Sequence, residues 1–446
     1  MTKAIFTILV GTAIALCGSA AAAQDQNAAQ DQGAAHERGA ATVIAVPPLT
    51  TPDTGAKGNE LLALGWDATQ LIAADLRQTA ELVPLPPKQK DYYSFPEVTA
   101  PNFPKWRGAG AKALVTGFVQ SRPDGRLTFG CYVYDVEQGR ELGRKGFVVS
   151  KNDWRRAAHK CSGLAYRGAV GAPGVFDTRI AYVAESGAGT GLVKRVAVMD
   201  SDGTNHRYVT AGDTIVLTPR LSPGADKVAF VSYVGGVPQI RIADVASGDQ
   251  RPLIANELVT FAPRFSPDGN RIAFSMMQGT NSDIYLISSG GGMPQRLTTS
   301  PGIDTDASFS PDGSKIVFES DRSGSQQIYV MNADGSDQRR LTFGAGGSYA
   351  APDWSPDGKW IAFTQRSGGA RRIGVIAADG SGEKLLTSGP GDEGPSWAAS
   401  SRELLFQRAD AAGRSAVYRE SLDGGEPRQI SIPQGGSDPD WSGVMD

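Results

Sequence analysis

An aromatic residue or a Leu followed by Ser, Pro and a tight turn recurs through the back half of this 446-residue chain. The copies read Leu221-Ser-Pro-Gly, Phe265-Ser-Pro-Asp-Gly, Phe309-Ser-Pro-Asp-Gly and Trp354-Ser-Pro-Asp-Gly, then the degenerate Trp397-Ala-Ala-Ser and a final Trp441-Ser, at spacings of 44, 44, 45, 43 and 44 residues. A near-constant period of this size belongs to a repeat architecture, either a β-propeller blade or a pair of solenoid helices. Composition separates the two. After each turn comes a tetrad such as Lys227-Val-Ala-Phe230, Arg271-Ile-Ala-Phe274, Lys315-Ile-Val-Phe318 or Trp360-Ile-Ala-Phe363, and in weaker form Glu403-Leu-Leu-Phe406. Branched and aromatic residues in that alternation suit a pleated strand, not a helix face. A second strand follows (Asp283 to Ile287, Gln327 to Met331, Arg372 to Ile376), then an Asp-Gly turn and a polar strand ending in Leu-Thr at Leu297, Leu341 and Leu386. Four strands of about five or six residues with their turns fill roughly 44 residues, one propeller blade. The turn chemistry agrees: Pro presets φ, Asp bonds its own backbone, and Gly takes the left-handed place.

Counting the parts shows how such a ring closes. Pre-turn strands occur near 219, 263, 307, 352, 395 and 439, and three-strand sets start near 179, 227, 271, 315, 359 and 402. The first set, from Arg179-Ile-Ala-Tyr182 to Tyr208-Val-Thr210, has no pre-turn strand before it, and the last pre-turn strand, Pro439-Asp-Trp-Ser442, has no set behind it. Joining them completes a sixth blade and removes two open sheet edges. The expected fold is thus an α/β N-terminal domain followed by a monomeric, all-β six-bladed propeller over residues 179–446, closed by the C-terminal strand.

The N-terminal part divides by composition. Lys3, an apolar run from Ile5 to Leu16 and the small residues Ala21-Ala22-Ala23 form a cleavable secretory leader over residues 1–23, with the mature chain starting near Gln24. Lipid attachment at Cys17 wants a small residue before it, and Leu16 stands there. No later run reaches the ~18 apolar residues of a membrane span, so none is expected in the mature chain. Residues 24–40 hold no aliphatic larger than Ala and read as a flexible arm. Residues 41–170 read as a small mixed α/β domain. It has a strand at Thr42 to Val46, a helix from Asn59 to Thr79, an extended Leu82 to Leu85, a meander from Ala113 to Val149, and a helix from an Asp153 N-cap to about Tyr166. Residues 171–178, opening Gly171-Ala-Pro-Gly174, are the linker.

Most chemistry is excluded by what is missing. The three His residues (His36, His159, His206) lie apart with no carboxylate or Cys at ligand spacing, which builds no zinc site. There is no Gly-x-Ser-x-Gly elbow and no phosphate-binding glycine motif. Asp-Gly pairs such as Asp334-Gly335 and Asp379-Gly380 lack the further carboxylates of a calcium loop and read as turns. Cys131 and Cys161 either pair in an oxidising compartment or remain as two buried thiols. A net charge of −3 with Lys and Arg spread through turns gives no basic face for nucleic acid. No catalytic residue, metal or cofactor is expected.

Ala73-Ala-Asp-Leu-Arg77, the junction Gly174-Val-Phe-Asp-Thr-Arg-Ile-Ala-Tyr182 and the Ser-Pro-Asp-Gly repeats together resemble the TolB family of periplasmic propeller proteins over nearly the whole mature chain. The resemblance implies a non-enzymatic adaptor of the Tol-Pal system. Such a protein binds the peptidoglycan-associated lipoprotein Pal at one mouth of the propeller and the inner-membrane protein TolA through its N-terminal arm, supports outer-membrane integrity and constriction at division, and is exploited by colicins. The arm here departs from the family in being Ala/Gln-rich, with few β-prone residues for strand addition onto TolA. Two other classes fit a propeller: the gate of a peptidase, which needs a further catalytic domain of roughly 200 to 250 residues, and a ligand-binding periplasmic protein.

The connection entering an inner strand lies beside the central channel, so these segments converge at one mouth. They comprise Thr260, Phe261 and Ala262, then Thr305 and Asp306, Ser348 and Tyr349, Asp392 and Glu393, and Ser437 and Asp438. An aromatic pair among carboxylates supplies an apolar anchor within a polar rim. The resemblance places Ala262 and Thr305 nearest the Pal-binding positions of the family.

Overall fold

The structure, a computed structural model, describes residues 41–187, 189–254, 258–344 and 347–445. The expected leader and arm, residues 1–23 and 24–40, lie outside the described residues.

β-branched and apolar residues open the N-terminal domain as β1 (Thr42–Ala45), which pairs in parallel with β2 (Leu82–Pro84) and with β3 (Ala113–Ser121). Antiparallel β4 (Leu127–Asp135) and β5 (Arg140–Val149) extend the sheet in the order β2-β1-β3-β4-β5. Between β1 and β2 runs α1 (Gly55–Arg77), which buries Leu61, Ala68, Ile72 and Leu76 against the sheet. It starts four residues before the apolar spacing indicates, because its first turn packs on the 49–53 segment with little side chain between. A Cβ on Gly58 in that turn would stand 2.4 Å from the Asp53 carbonyl oxygen, and one on Gly65 further along 2.2 Å from that of Leu49. The Pro-rich stretch after β2 contains a short helix that periodicity does not reveal, α2 (Phe103–Gly108), capped by the Asn102 side chain accepting from Lys105 N–H. The last helix, α3 (Trp154–Val170), runs past Tyr166 to a left-handed Gly171. Asp153 does not cap it: the carboxylate is taken by the Ser150 hydroxyl, 2.7 Å away. Of the two alternatives for the cysteines the disulfide is the one present, joining Cys131 on β4 to Cys161 on α3 across the domain core.

The propeller follows the repeat. Blade 1 spans Val216–Leu221, Lys227–Val234, Val237–Asp244 and Gln250–Pro252, and blades 2 to 5 repeat this antiparallel order with inner strands Thr260–Phe265, Asp304–Phe309, Ser348–Trp354 and Asp392–Trp397. The Ser-Pro-Asp-Gly turn explains why each repeat carries that motif. In blade 2 the Ser266 hydroxyl donates to Asp268 and accepts from Arg271 N–H, while Gly269 takes the left-handed φ of 71°. Ser310 with Asp312 and Ser355 with Asp357 do the same. Where the motif decays, Ala225 and Ser401 carry the positive φ instead (52° and 58°). Aromatic and branched residues of each second strand, Phe230, Phe274, Phe318, Phe363 and Phe406, are fully buried between blades.

Blade 6 is built from both ends of the ring. β6 (Arg179–Ser186), β7 (Val193–Asp200) and β8 (Arg207–Tyr208) receive Gly435–Trp441 as their inner strand, with Ser437 opposite Val183 and Trp441 opposite Ile180. The join is reinforced past the strand. Trp441 Nε1 donates to Thr178 Oγ1 at 2.9 Å, Arg179 N–H to Ser442 Oγ at 2.8 Å, and Met445 N–H to the Asp177 carbonyl at 2.9 Å.

Two outcomes are expected. Truncation before Ser437 exposes the β6 edge and the open face of blade 5, so the shortened chain aggregates or loses its cooperative melting transition in calorimetry; unchanged melting contradicts closure. The paired substitution C131A/C161A removes the cross-link within the α/β domain and lowers its unfolding free energy by about 2–4 kcal/mol, measured by denaturant titration.

Candidate partner-binding mouth of the propeller

Each inner strand has one edge paired to its blade and one edge open to the channel, and each is broken by a bulge at the same place. The pairing skips between Phe261 and Arg264, Thr305 and Ser308, Ala350 and Asp353, Glu393 and Ser396, and Ser437 and Asp440. The residue starting the bulge is left-handed in all six blades: Thr218 (φ 45°), Ala262 (50°), Asp306 (51°), Ala351 (50°), Gly394 (65°) and Asp438 (51°). For a residue other than Gly this conformation costs roughly 1–2 kcal/mol. In five blades the next residue is a proline, Pro219, Pro263, Pro352, Pro395 and Pro439. Proline disfavours the helical region for the residue before it and offers no N–H to a ladder, so it is tolerated where a bulge interrupts pairing.

Side chains of the neighbouring blade satisfy the groups the bulge leaves unpaired. Ala351 N–H donates to Glu319 Oε2 at 3.3 Å, Gly394 N–H to Thr364 Oγ1 at 3.1 Å, and Asp438 N–H to Gln407 Oε1 at 2.7 Å. Thr218 N–H donates to Asp438 Oδ2 at 3.2 Å. Two residues deeper a second ring forms from Arg220, Arg264, Ser308, Asp353, Ser396 and Asp440. Four of its members each hold the following blade by accepting a backbone N–H: Ser308 from Trp354, Asp353 from Trp397, Ser396 from Trp441 and Asp440 from Leu221, at 2.7 to 3.2 Å. Arg264 reaches across the channel to Asp353 (3.1 Å) and Asp440 (3.3 Å).

Electrostatically the mouth is an acidic site held by a few guanidinium groups. Burial pushes the Asp306 carboxyl up, with Arg220 and Arg264 opposing and Asp438 adding to the rise. Burial, then the Asp306 charge, pushes Glu319 up to about 8. Asp440 is raised by burial against the pull of Arg220 and Arg264. Around this centre the connections and hairpins at the same end expose Ile215, Leu258, Ile303 and Phe343, the last 73% exposed under the Arg340 guanidinium. An open cleft of about 720 Å³ beside blade 4 is lined by polar groups including Gln327, Arg366, Arg371 and Glu393.

The residues expected at the mouth lie inside the inner strands, not ahead of them, because pairing resumes on the mouth side of each bulge: Thr260 is opposite Met276 and Asp392 opposite Arg408. Within that set Phe261, Thr305, Asp306, Ser348, Glu393 and Asp438 are half-buried, and Ala262 starts a bulge. Thr260, Tyr349, Asp392 and Ser437 are buried and serve the blades: Thr260 Oγ1 accepts from Ile240 N–H, Tyr349 donates to Glu383, Asp392 holds Arg408 through both oxygens, and Ser437 donates to Glu185. The expected pair Ser348 and Tyr349 sits one register step too early, since Ala350 is the counterpart of Phe261. Thr218, Ala351, Gly394, Glu319 and Gln407 went unrecognised. The Pro two places before the repeat aromatic or Leu in five of the six blades marks the bulge and locates the first three.

These features define a six-bladed β-propeller protein with an N-terminal α/β domain and one polar, strained channel mouth. The chain belongs to the TolB family: the family model for the TolB beta propeller domain matches residues 166–445, and that for the TolB amino-terminal domain matches residues 36–142. It is 46% identical over 200 residues to the Tol-Pal system protein TolB of Zymomonas mobilis and 49% identical over 191 residues to that of Rhizorhabdus wittichii, covering 45% and 43% of this chain. Each match spans 44% of the relative's own length. The crystal structure of TolB from Acinetobacter baumannii superposes with a TM-score of 0.72 at 27% identity, over 90% of this chain and 96% of that one. Among the described residues no helix is long and apolar enough to cross a membrane.

The raised Glu319 carboxyl generates a pH test. Its folded value of about 8 lies above the ordinary 4.5, so its contribution to stability is fully present below about 4.5 and is lost as pH rises through 8. E319Q keeps the acceptor for Ala351 and removes the titration. Above pH 8 the variant melts several degrees higher than the parent, and near pH 4.5 the two coincide; a constant offset at every pH contradicts the assignment.

Proposed function

We propose that this chain is a non-enzymatic periplasmic adaptor of the Tol-Pal system. In this reading it is exported by the leader at residues 1–23, binds the peptidoglycan-associated lipoprotein Pal through the propeller mouth, and engages TolA through the arm at residues 24–40. The observation that carries the proposal is the convergence of six left-handed bulges at one mouth, five of them strained at a residue other than Gly, where half-buried carboxylates and exposed apolar side chains lie within one footprint. Backbone strain repeated at one end of a ring fits a surface preorganised for contact. Apolar rim residues offer the anchors of an interface, and the acidic centre favours a partner that brings Lys, Arg or helix N-terminal amides. Colicins that exploit the system would compete for the same mouth.

The test uses purified Pal and two substitutions. Thr305→Arg places a long cation in the mouth at the loss of one hydroxyl contact from Ser275, and Phe261→Asp removes a half-buried apolar anchor. Each weakens Pal binding by about a hundredfold, ~2.8 kcal/mol, while melting stays within a few degrees of the parent. Normal binding by both variants places the contact elsewhere, on the opposite mouth or on the α/β domain.

A further inference from the structure

His159 occupies a position that the mouth does not use. It lies on α3, 3% exposed, where the α/β domain meets the propeller. Its Nδ1 is 2.8 Å from Asp75 Oδ2 on α1, and its Nε2 faces Asp202 Oδ2 on the propeller turn between β7 and β8 at 3.4 Å. Each ring nitrogen therefore points at a carboxylate, one from each domain. Carboxylate oxygens only accept, so a neutral ring, with one N–H and one lone pair, sets its lone pair against one of them. Nε2 has no hydrogen-bond partner, an orphaned polar atom in a buried place.

The surrounding charges fix the polarity. From α1 comes Asp75, whose Oδ2 also accepts from the Ser162 hydroxyl at 2.6 Å. From the propeller turn comes Asp202, which accepts from Arg155 at 2.7 Å and from Thr204 N–H at 2.9 Å. From the connecting segment comes Asp177, paired with Arg156 (3.4 Å) and Lys160 (3.6 Å). We propose that His159 is an imidazolium bolt between the two domains: with both nitrogens protonated it draws Asp202 of the propeller onto α3, and on losing one proton it releases that turn. Burial alone would lower the ring, but the facing carboxylates of Asp202 and Asp75 outweigh it and hold it up at about 10. A value above the ordinary 6.5 means the bolt is fully engaged below about 6.5 and lets go as pH rises through 10. The α/β domain thus stays seated through neutral pH and loosens in alkali.

Two measurements on the full mature chain test this. In a ¹⁵N-histidine-labelled sample, which holds three histidines, one imidazole keeps both nitrogens protonated at pH 8.5, and that signal is absent from H159Q. In D202N, where a side-chain amide takes the place of one carboxylate, the same ring gives up its proton below pH 8.5. At pH 7, amide exchange in residues 154–166 and 200–208 is about tenfold faster in H159Q than in the parent, with the inner strands of blades 2 to 4 unchanged. The proposal is overturned if all three rings of the parent are neutral by pH 8.5, if D202N leaves the titration where it was, or if a folded H159Q exchanges like the parent. Should H159Q fail to fold, the D202N titration alone decides.

Discussion

Six β-sheets arranged around a channel leave six strand edges with no partner strand, and the structure depends on how those edges are satisfied. In four of the six the answer is side chains borrowed from the preceding blade: Ser308, Asp353, Ser396 and Asp440 each accept an N–H from the adjacent inner strand, and Glu319, Thr364, Gln407 and Asp438 serve the bulges above them. A backbone group left unpaired in such a place costs on the order of 1–3 kcal/mol, so the acceptors are structural before they are anything else. They also put carboxylates into a poorly hydrated channel, and Arg220 and Arg264 are there because charges so placed must be compensated. The charge pattern of the mouth therefore follows from closing the ring.

The same geometry favours one mouth as the proposed contact surface. Bulges, strand entries and second-strand hairpins meet at this end, which leaves its backbone irregular and its side chains varied. The other end carries the uniform Ser-Pro-Asp-Gly turns, whose polar groups are consumed internally, Ser266 with Asp268 and Arg271 being one instance. It is also the end that meets the α/β domain, through Arg402 with Glu81 and through Asp202 with His159.

Much of the fold was legible in the sequence because the period, the strand tetrads and the turn motif are local signals repeated several times. Counting orphan strands was enough to close the ring, and Pro439 to Ser442 indeed stands against Arg179 to Tyr182. Legibility failed where a residue's role is set by something distant or by a one-step shift of register. The 45-residue step from Phe309 to Trp354, one longer than the two steps before it, moved the Ser348 and Tyr349 pair out of alignment, since a strand's faces alternate with every residue. Asp153 has the residue type of a cap but was captured by Ser150, a competitor three places away. His159 and Asp75 are 84 residues apart, and no spacing rule brings them together. The half-buried state of Asp306 and Glu393 against the burial of Asp392 likewise arises only once the blades pack.

Amide hydrogen exchange of the mature chain with and without Pal shows whether a partner sits on the bulged mouth. Exchange is expected to slow only in segments around 215–218, 258–262, 303–306, 348–351, 392–394 and 436–438, with the Ser-Pro-Asp-Gly turns unaffected. Protection concentrated at those turns, or only in the α/β domain, with no change at the inner-strand bulges, would contradict it.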